Sequence, residues 1–302
     1  MELRHLRYLV ALANEGQFTR AAQRLHVAQP ALSQQIARLE QELGVTLVDR
    51  TTRRVTLTAA GRRLVAHARD ILAQADLARA EISDIAGLRT GEVVIGVTFT
   101  MGALDLPAIL AAFHATHAAI DLILREDLSV ALIDAVRRDE LDVAFVSTIA
   151  DGLESRVLAS EDLVIALPPD HRLAGRHRLP IAALRDSTFV GFRPGATLRR
   201  QIDDAAQAAG YAPTIAFETN DLFRMRSLVS VGLGVALLPR SDAERPGPAV
   251  RVIELADEPL RHTTHIVWRA GKRHAPATRA FIDAATAARP VSSPPAGQAD
   301  TV

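Results

Sequence analysis

The chain contains no cysteine. That excludes disulfides, a thiol nucleophile and any cysteine-held zinc or iron–sulfur centre, and it fits a reducing compartment. Lysine is nearly absent: of 35 basic residues only Lys272 is not arginine. The arginines are spread over the whole chain beside abundant alanine, so a GC-rich coding bias explains them better than a dedicated phosphate or carboxylate surface. Long apolar runs are missing too. The longest, Leu228 to Leu238, is broken by Ser230 and two glycines, well short of the roughly 18 residues a membrane span needs. The stretch Met1 to Arg7 has neither an apolar region nor a small-residue cleavage site, so a signal peptide is not expected and the cytoplasm is the expected location. Net charge is also absent, with 35 acidic residues against 35 basic ones. Taken alone, that balance argues against a nucleic-acid ligand.

What is present divides into three zones. At 302 residues, 48% apolar and 23% charged, the chain has the size of two or three globular domains. In the first zone Leu3, Leu6, Val10 and Ala13 mark a helix that ends at Gly16, and Ala21, Ala22 and Leu25 mark a short second one. Pro30 opens a third, in which Leu32, Ile36, Leu39 and Leu43 form the buried face before Gly44 stops it. Thr46 to Val48 and Val55 to Leu57 then flank an arginine-rich tip, the pattern of a small hairpin.

The second zone, Thr58 to Ala86, reads as one long helix. Leu64, Ala68, Ile71, Ala75, Ala78, Ile82 and Ile85 alternate at spacings of four and three, a heptad seam. The seam predicts a dimerisation coiled coil; the competing reading is a helix lying on its own domain. Gly87 and Gly91 bracket its exit as a hinge.

From Glu92 onward strand and helix alternate, which predicts a mostly parallel sheet and two similar α/β lobes. Predicted strands are Val93 to Thr98, Ile120 to Leu124, Val143 to Val146, Leu163 to Leu167, Thr188 to Gly191, Thr214 to Glu218 and Val235 to Leu238. A last strand, His265 to Trp268, and the helix Pro276 to Ala287 are expected to return to the first lobe. Residues 290–302, rich in Pro, Ser, Gly and Ala, are expected to be a disordered tail. The fold class is therefore α+β multi-domain. Its parts are an N-terminal domain at 1–58, a linker helix at 59–88 and a two-lobed domain at 92–289. Lobe I takes about 92–160 plus 268–289, and lobe II about 161–267.

Residues 18–43 have the pattern of a helix–turn–helix, whose second helix can enter a major groove. Opposite its apolar face stand Ser33, Gln34, Ala37, Arg38 and Gln41. Glutamine can bond adenine and arginine guanine in two-pronged fashion, while serine takes base edges or phosphate. Arg50, Arg53 and Arg54 at the hairpin tip can reach phosphates or a minor groove. The alternative is a small helical bundle with a solvated polar face.

At these residues the sequence closely resembles the LysR-type transcriptional regulators. Leu6 to Leu9, Gly16 to Ala22, Leu25 to Ile36, Leu39-Glu40, Leu43-Gly44, Leu57-Thr58 and Ala60-Gly61 carry the resemblance almost continuously. Ile95-Gly96, Leu106-Pro107, Pro168 to Ala174 and Gly232 to Pro239 extend it more loosely to about residue 288. The resemblance implies a winged helix–turn–helix, a linker-helix dimer, and a regulatory domain resembling periplasmic solute-binding proteins with a small-molecule effector between its lobes. It implies homotetramers that bend promoter DNA, with RNA polymerase as a further partner, no enzymatic activity and no cofactor. It also places Gln29, Pro30, Ser33, Gln34 and Arg38 on the recognition helix and Arg53 and Arg54 on the wing.

Ligands of open α/β sheets bind beyond the carboxyl ends of strands, near helix N-termini whose N–H groups favour anions. That rule selects Thr98, Thr100, Ser129, Ser147 and Thr148 in lobe I, and Phe192, Arg193, Thr197 and Asn220 in lobe II. Arg193 among hydroxyl and apolar groups suggests a small carboxylate. Plain helix capping by Thr and Ser is the competing reading of these positions.

Other constellations are weaker. His114/His117 and His262/His265 stand at metal-compatible spacing but without a third ligand, so solvated histidines are expected. Gly232 and Gly234 lack the third glycine of a dinucleotide loop, and Glu154, Glu161 and Asp162 read as residues of connecting stretches. An enzyme or solute-binding module with an incidental helical domain is the competing class, and the missing catalytic motifs and signal sequence speak against it. The charge balance also resolves by zone. Residues 1–63 hold ten arginines against five acidic residues, and the remainder holds the opposite excess. Zero is the sum of a basic domain that can displace counterions from DNA and a mildly acidic one that need not touch it.

Overall fold

A computed structural model describes residues 1–50, 55–85 and 91–287. The chain divides into two compact units, Met1–Leu88 and Arg89–Val302.

The first unit opens with α1 (Leu3–Glu15), α2 (Phe18–Arg24) and α3 (Gln29–Leu43). Their apolar faces close on a core that includes Leu9, Leu12, Ala21, Leu32, Ile36 and Leu39. Leu43 departs from the predicted buried face: it is 40% exposed, because the last turn of α3 runs past this core. β1 (Val48–Arg50) and β2 (Val55–Leu57) pair antiparallel as the predicted hairpin. The Thr58 hydroxyl donates to the Thr46 carbonyl and accepts the Gly61 N–H, so one side chain both closes the hairpin and starts α4 (Ala59–Ile85). Gly61 is required here, since a Cβ would lie 2.0 Å from the Leu47 carbonyl oxygen.

Along α4 the predicted seam changes character. Ala68 and its neighbour Val65 are buried in this unit, whereas Ile71, Ala78 and Ile82 are exposed, Ile82 to 67%. The N-terminal half thus lies on its own domain, and Ile71, Ala78 and Ile82 face outward beyond it. Gly87, the arginines Arg53 and Arg54, and the predicted tail fall outside the described residues.

The second unit begins with β3 (Gly91–Val97), α5 (Leu106–Thr116), β4 (Ile120–Glu126), α6 (Ser129–Arg137) and β5 (Val143–Val146). β3 pairs parallel with both β4 and β5, so the carboxyl ends of β3 and β5 lie side by side. Next comes β6 (Leu153–Leu167), then β7 (Arg178–Leu179), a 3₁₀ turn (Ile181–Leu184) and β8 (Thr188–Gly191). α7 (Thr197–Ala208), β9 (Thr214–Glu218), α8 (Leu222–Ser230), β10 (Ala236–Pro239) and α9 (Arg240–Glu244) follow. β11 (Arg251–Leu255), β12 (Arg261–Arg269) and α10 (Pro276–Ala287) complete the described chain.

Strand order in the large sheet is β4-β3-β5-β12-β6-β11-β7, with β10 also on β6. β8 and β9 pair parallel beside it, and Phe189 bridges to Val235. The expectation of a mostly parallel sheet is corrected here: β12 runs antiparallel to β5 and β6, and β6 runs antiparallel to β10 and β11. The predicted strand Leu163 to Leu167 is only the last third of a 15-residue strand. The earlier part, Leu153 to Asp162, sets Glu154, Arg156, Glu161 and Asp162 among serines and a few apolar residues, with Val157 61% exposed, so it lacks the sustained apolar run that marked the other strands. Glu154, Glu161 and Asp162 accordingly lie within β6 rather than in connecting stretches.

Lobe I packs Val93, Ile95, Phe113, Phe145 and Phe281 on one face of its sheet and Leu132, Val136, Val146 and Val267 on the other. Phe281 comes from α10, which returns to this lobe. Lobe II has its own core around Leu163 to Leu167, Phe189, Phe192, Met225 and Leu238. β6 and β12 are the strands that connect the two.

Candidate functional site

On the first unit, α3 turns Gln29, Pro30, Gln34 and Arg38 outward in one exposed row, with Ser33 half-buried beside them. Leu32, Ile36 and Leu39, at helical spacing between them, are fully buried and fix which face is free. α3 has no side-chain N-cap and carries Pro30 in its first turn, so the free N–H groups there suit a phosphate. The hairpin is held to this helix by Glu40, whose Oε1 accepts the Leu47 N–H at 2.8 Å and the Val48 N–H at 3.1 Å. His5 links α1 to the helix through Nε2 and Gln35 Oε1, 2.9 Å apart. Arg50 ends β1, at the approach to the hairpin tip.

In the second unit a cleft of about 300 Å³, including its open mouth, lies between the lobes. Seven of the nine predicted effector residues line it: Thr98, Thr100, Ser129, Ser147, Phe192, Thr197 and Asn220. The rest of the wall is apolar, formed by Phe99, Leu128, Ala196 and Leu198. No charged side chain is among these lining residues. Thr148 is half-buried but does not line the cleft, and the Arg193 side chain is exposed outside it. Arg193 contributes instead through its backbone N–H, which donates to Asn220 Oδ1 at 3.0 Å and shapes the loop before α7.

The hydroxyls are ordered rather than scattered. Ser129 Oγ accepts the Ser147 N–H at 3.1 Å and lies 3.1 Å from Ser147 Oγ and 3.5 Å from Thr98 Oγ1. That chain joins the ends of β3 and β5 to the start of α6. Capping does not explain Ser129 and Thr197: each is the first residue inside its helix, and the cap positions, Leu128 and Ala196, make no side-chain cap bond. Two helix N-termini, one from each lobe, therefore reach the cleft uncapped.

His114 and His117 lie on or just after α5, and His262 and His265 on β12. The expectation of solvated side chains fails for His262, which is 2% exposed. No group of three metal-ligating residues forms among the described residues, and no helix there is long and apolar enough to cross a membrane.

A bacterial regulatory helix-turn-helix protein model of the lysR family matches residues 3–62, and the LysR substrate binding domain model matches residues 86–290. The chain belongs to the LysR family of transcriptional regulators. Its family is one of DNA-binding regulators with an effector-binding domain, not of enzymes. The regulator is 36% identical over 288 residues to the HTH-type transcriptional regulator YnfL of Escherichia coli K12, covering 93% of this chain and 96% of that one. A full-length, singly substituted OxyR from Pseudomonas aeruginosa superposes with a TM-score of 0.71 at 28% identity, covering 95% of this chain and 98% of that one. CbnR complexed with its target DNA gives a TM-score of 0.54 at 26% identity, covering 94% and 98%.

Sequence reasoning about this regulator missed Glu40, Phe99, Leu128, Ala196 and Leu198. The position of Leu128 and Ala196 just before two predicted helix starts was the available signal for the apolar pair.

Proposed function

We propose that this regulator binds promoter DNA through the α3 face and is controlled by a small carboxylate held between its lobes. The observation that carries the effector reading is the pairing of two uncapped helix N-termini, at Ser129 and Thr197, with five hydroxyl side chains and no charged one. Helix N-termini present free N–H groups and a partial positive charge, and hydroxyls donate further bonds, so a small anion is stabilised without a buried counter-charge. The guanidinium of Arg193 lies outside the cleft lining. With no cysteine in the chain, thiol oxidation is excluded as the signal.

On the DNA side, Gln29, Pro30, Ser33, Gln34 and Arg38 contact the major groove, and Arg50, Arg53 and Arg54 contact backbone or minor groove. The domains divide at 1–58, 59–88 and 92–289. A cytoplasmic dimer forms through the linker helix and pairs into a tetramer at the promoter, where RNA polymerase is the further partner. Effector closure of the lobes alters the bend or half-site spacing that the dimers impose.

The test has two arms. Selection of binding sites from random DNA should return a defined half-site with the intact chain, and Gln34→Ala and Arg38→Ala should each relax it at one or two positions; an unchanged preference in both removes α3 as the reader. A thermal-shift screen should show stabilisation by small carboxylates and none by the matching amides. Stabilisation by neutral compounds alone removes the carboxylate.

A further inference from the structure

The two connecting strands carry a facing ionisable pair, Glu161 on β6 and His262 on β12. The pair sits where β6 changes partners. Up to Asp162 it is registered with β12, from Leu163 with β10 and from Val164 with β11. A change of angle between the lobes has to pass through this point.

Each member of the pair is tied to a different lobe. Thr264 Oγ1 donates to the Met101 carbonyl at 3.1 Å, so its oxygen accepts from His262 Nε2–H, 3.2 Å away. Met101 belongs to the loop between β3 and α5 that gives Thr98, Phe99 and Thr100 to the cleft. On the other side the Glu161 carboxylate accepts both the N–H and the hydroxyl of Ser241, each at 2.7 Å, which fixes the first turn of α9 in lobe II. Gly102 is wedged between the two residues. It has φ +58°, and a Cβ would stand 2.5 Å from Glu161 Oε1 and 2.7 Å from His262 Cδ2. The effector loop is thus in backbone contact with both.

The His262 ring is buried. Burial lowers the pKa to about 4, against a smaller opposing pull from a hydrogen bond to the Thr100 backbone and with a slight push from His265 in the same direction as burial. The other ionisable groups around the pair are Asp242 and, through it, Arg245. At neutral pH the buried ring is uncharged, a strut rather than a charge.

We propose that Glu161 and His262 are positioning residues for the effector cleft, joining the Thr98–Leu104 loop of lobe I to the start of α9 in lobe II so that a change at one is felt at the other. The proposal rests on the reading of the cleft as the effector site, but the coupling belongs to the unliganded chain and is measured there.

Amide hydrogen exchange of the full-length protein without ligand tests it. Thr264→Val removes the hydroxyl that serves both His262 and Met101. It should accelerate exchange at 99–104 about tenfold, the loss expected of a buried hydrogen bond, and should also accelerate 241–244 by at least about threefold. Thr264→Ser keeps the hydroxyl and should leave both segments within about twofold of the parent. Glu161→Gln should produce the converse pattern, strongest at 241–244 and extending to 99–104. Amides of β3 and β5 report global unfolding and should not change. Acceleration confined to the segment beside each substitution overturns the proposal, as does no acceleration in either. If Thr264→Val does not fold, Glu161→Gln decides alone. A carboxylate screen that fails altogether leaves these exchange rates, and hence the coupling, unaffected.

Discussion

Glu40 of α3 holds Leu47 at the base of the β1–β2 hairpin, its carboxylate accepting the Leu47 N–H at 2.8 Å and the next N–H, from Val48, at 3.1 Å. The two bonds tie β1 to α3, so the position of the hairpin follows the helix that we propose reads DNA. Hydrogen bonds to a charged group contribute about 1.5–3 kcal/mol when buried, and Glu40 is half-buried. Glu40→Ala should therefore lower the unfolding free energy of the first unit by about 1–2 kcal/mol. It should also weaken DNA binding without changing which bases are preferred. Urea denaturation and binding titrations check this, and a shifted base preference would show that Glu40 reads DNA directly.

The stripe on α4 makes a second prediction. Ile82 is 67% exposed and Ile71 39%, an arrangement that costs solvation unless another surface covers it. Ile82→Asp should lower dimer affinity by at least about tenfold, since a charge would replace roughly 1.5–3 kcal/mol of apolar burial. Sedimentation equilibrium reads the change. An unaltered assembly state would mean that the seam does not face a second copy.

The cleft separates the two readings of the loop Gly191 to Thr197. Ser129 contributes a hydroxyl to the lining and the Arg193 side chain does not. With the carboxylate found by the thermal-shift screen, Ser129→Ala should weaken binding about tenfold, the worth of one hydrogen bond, and Arg193→Ala should leave it within about twofold. Isothermal titration provides the measurement. The reverse ranking would restore Arg193 as the anion's partner and reassign Ser129 to holding β5.

Helices with one apolar stripe, such as α3 and α10, and strands buried on both faces, such as β5, were legible in the sequence because period and burial coincide. The earlier part of β6 was not: its residues alternate between partly wet faces, and Glu154, Glu161 and Asp162 look like loop residues until β12 is placed beside them. Position along the fold was legible at the cleft, since the ends of parallel strands and the starts of helices are marked by the same residues that mark the elements. Side-chain direction was not. Arg193 sits in a loop with no period to orient it, and Glu40 finds its partners in backbone groups that carry no sequence signature.

Two buried groups near the lobe junction should give opposite pH slopes. Burial pushes Asp242 up to about 6, with Arg245 pulling it down and Glu161 pushing it further up. An unfolded carboxyl titrates near 3.9, so between about 4 and 6 the folded state binds the proton more strongly, and this group adds stability as pH falls. His262 does the reverse. Its folded pKa of about 4 lies below the ordinary value of about 6.5, so the unfolded chain takes up the proton first and stability is lost as pH falls through that window. In the parent protein the two slopes offset each other. Asp242→Asn, which mimics the protonated acid, should be more stable than the parent at pH 7, by about 1–3 kcal/mol, and should lose about half of that advantage on going to pH 5. His262→Gln should instead become relatively more stable as pH falls. Urea unfolding of all three proteins at pH 7 and pH 5 compares the slopes directly, and parallel behaviour in the three would mean that neither group titrates out of its ordinary range.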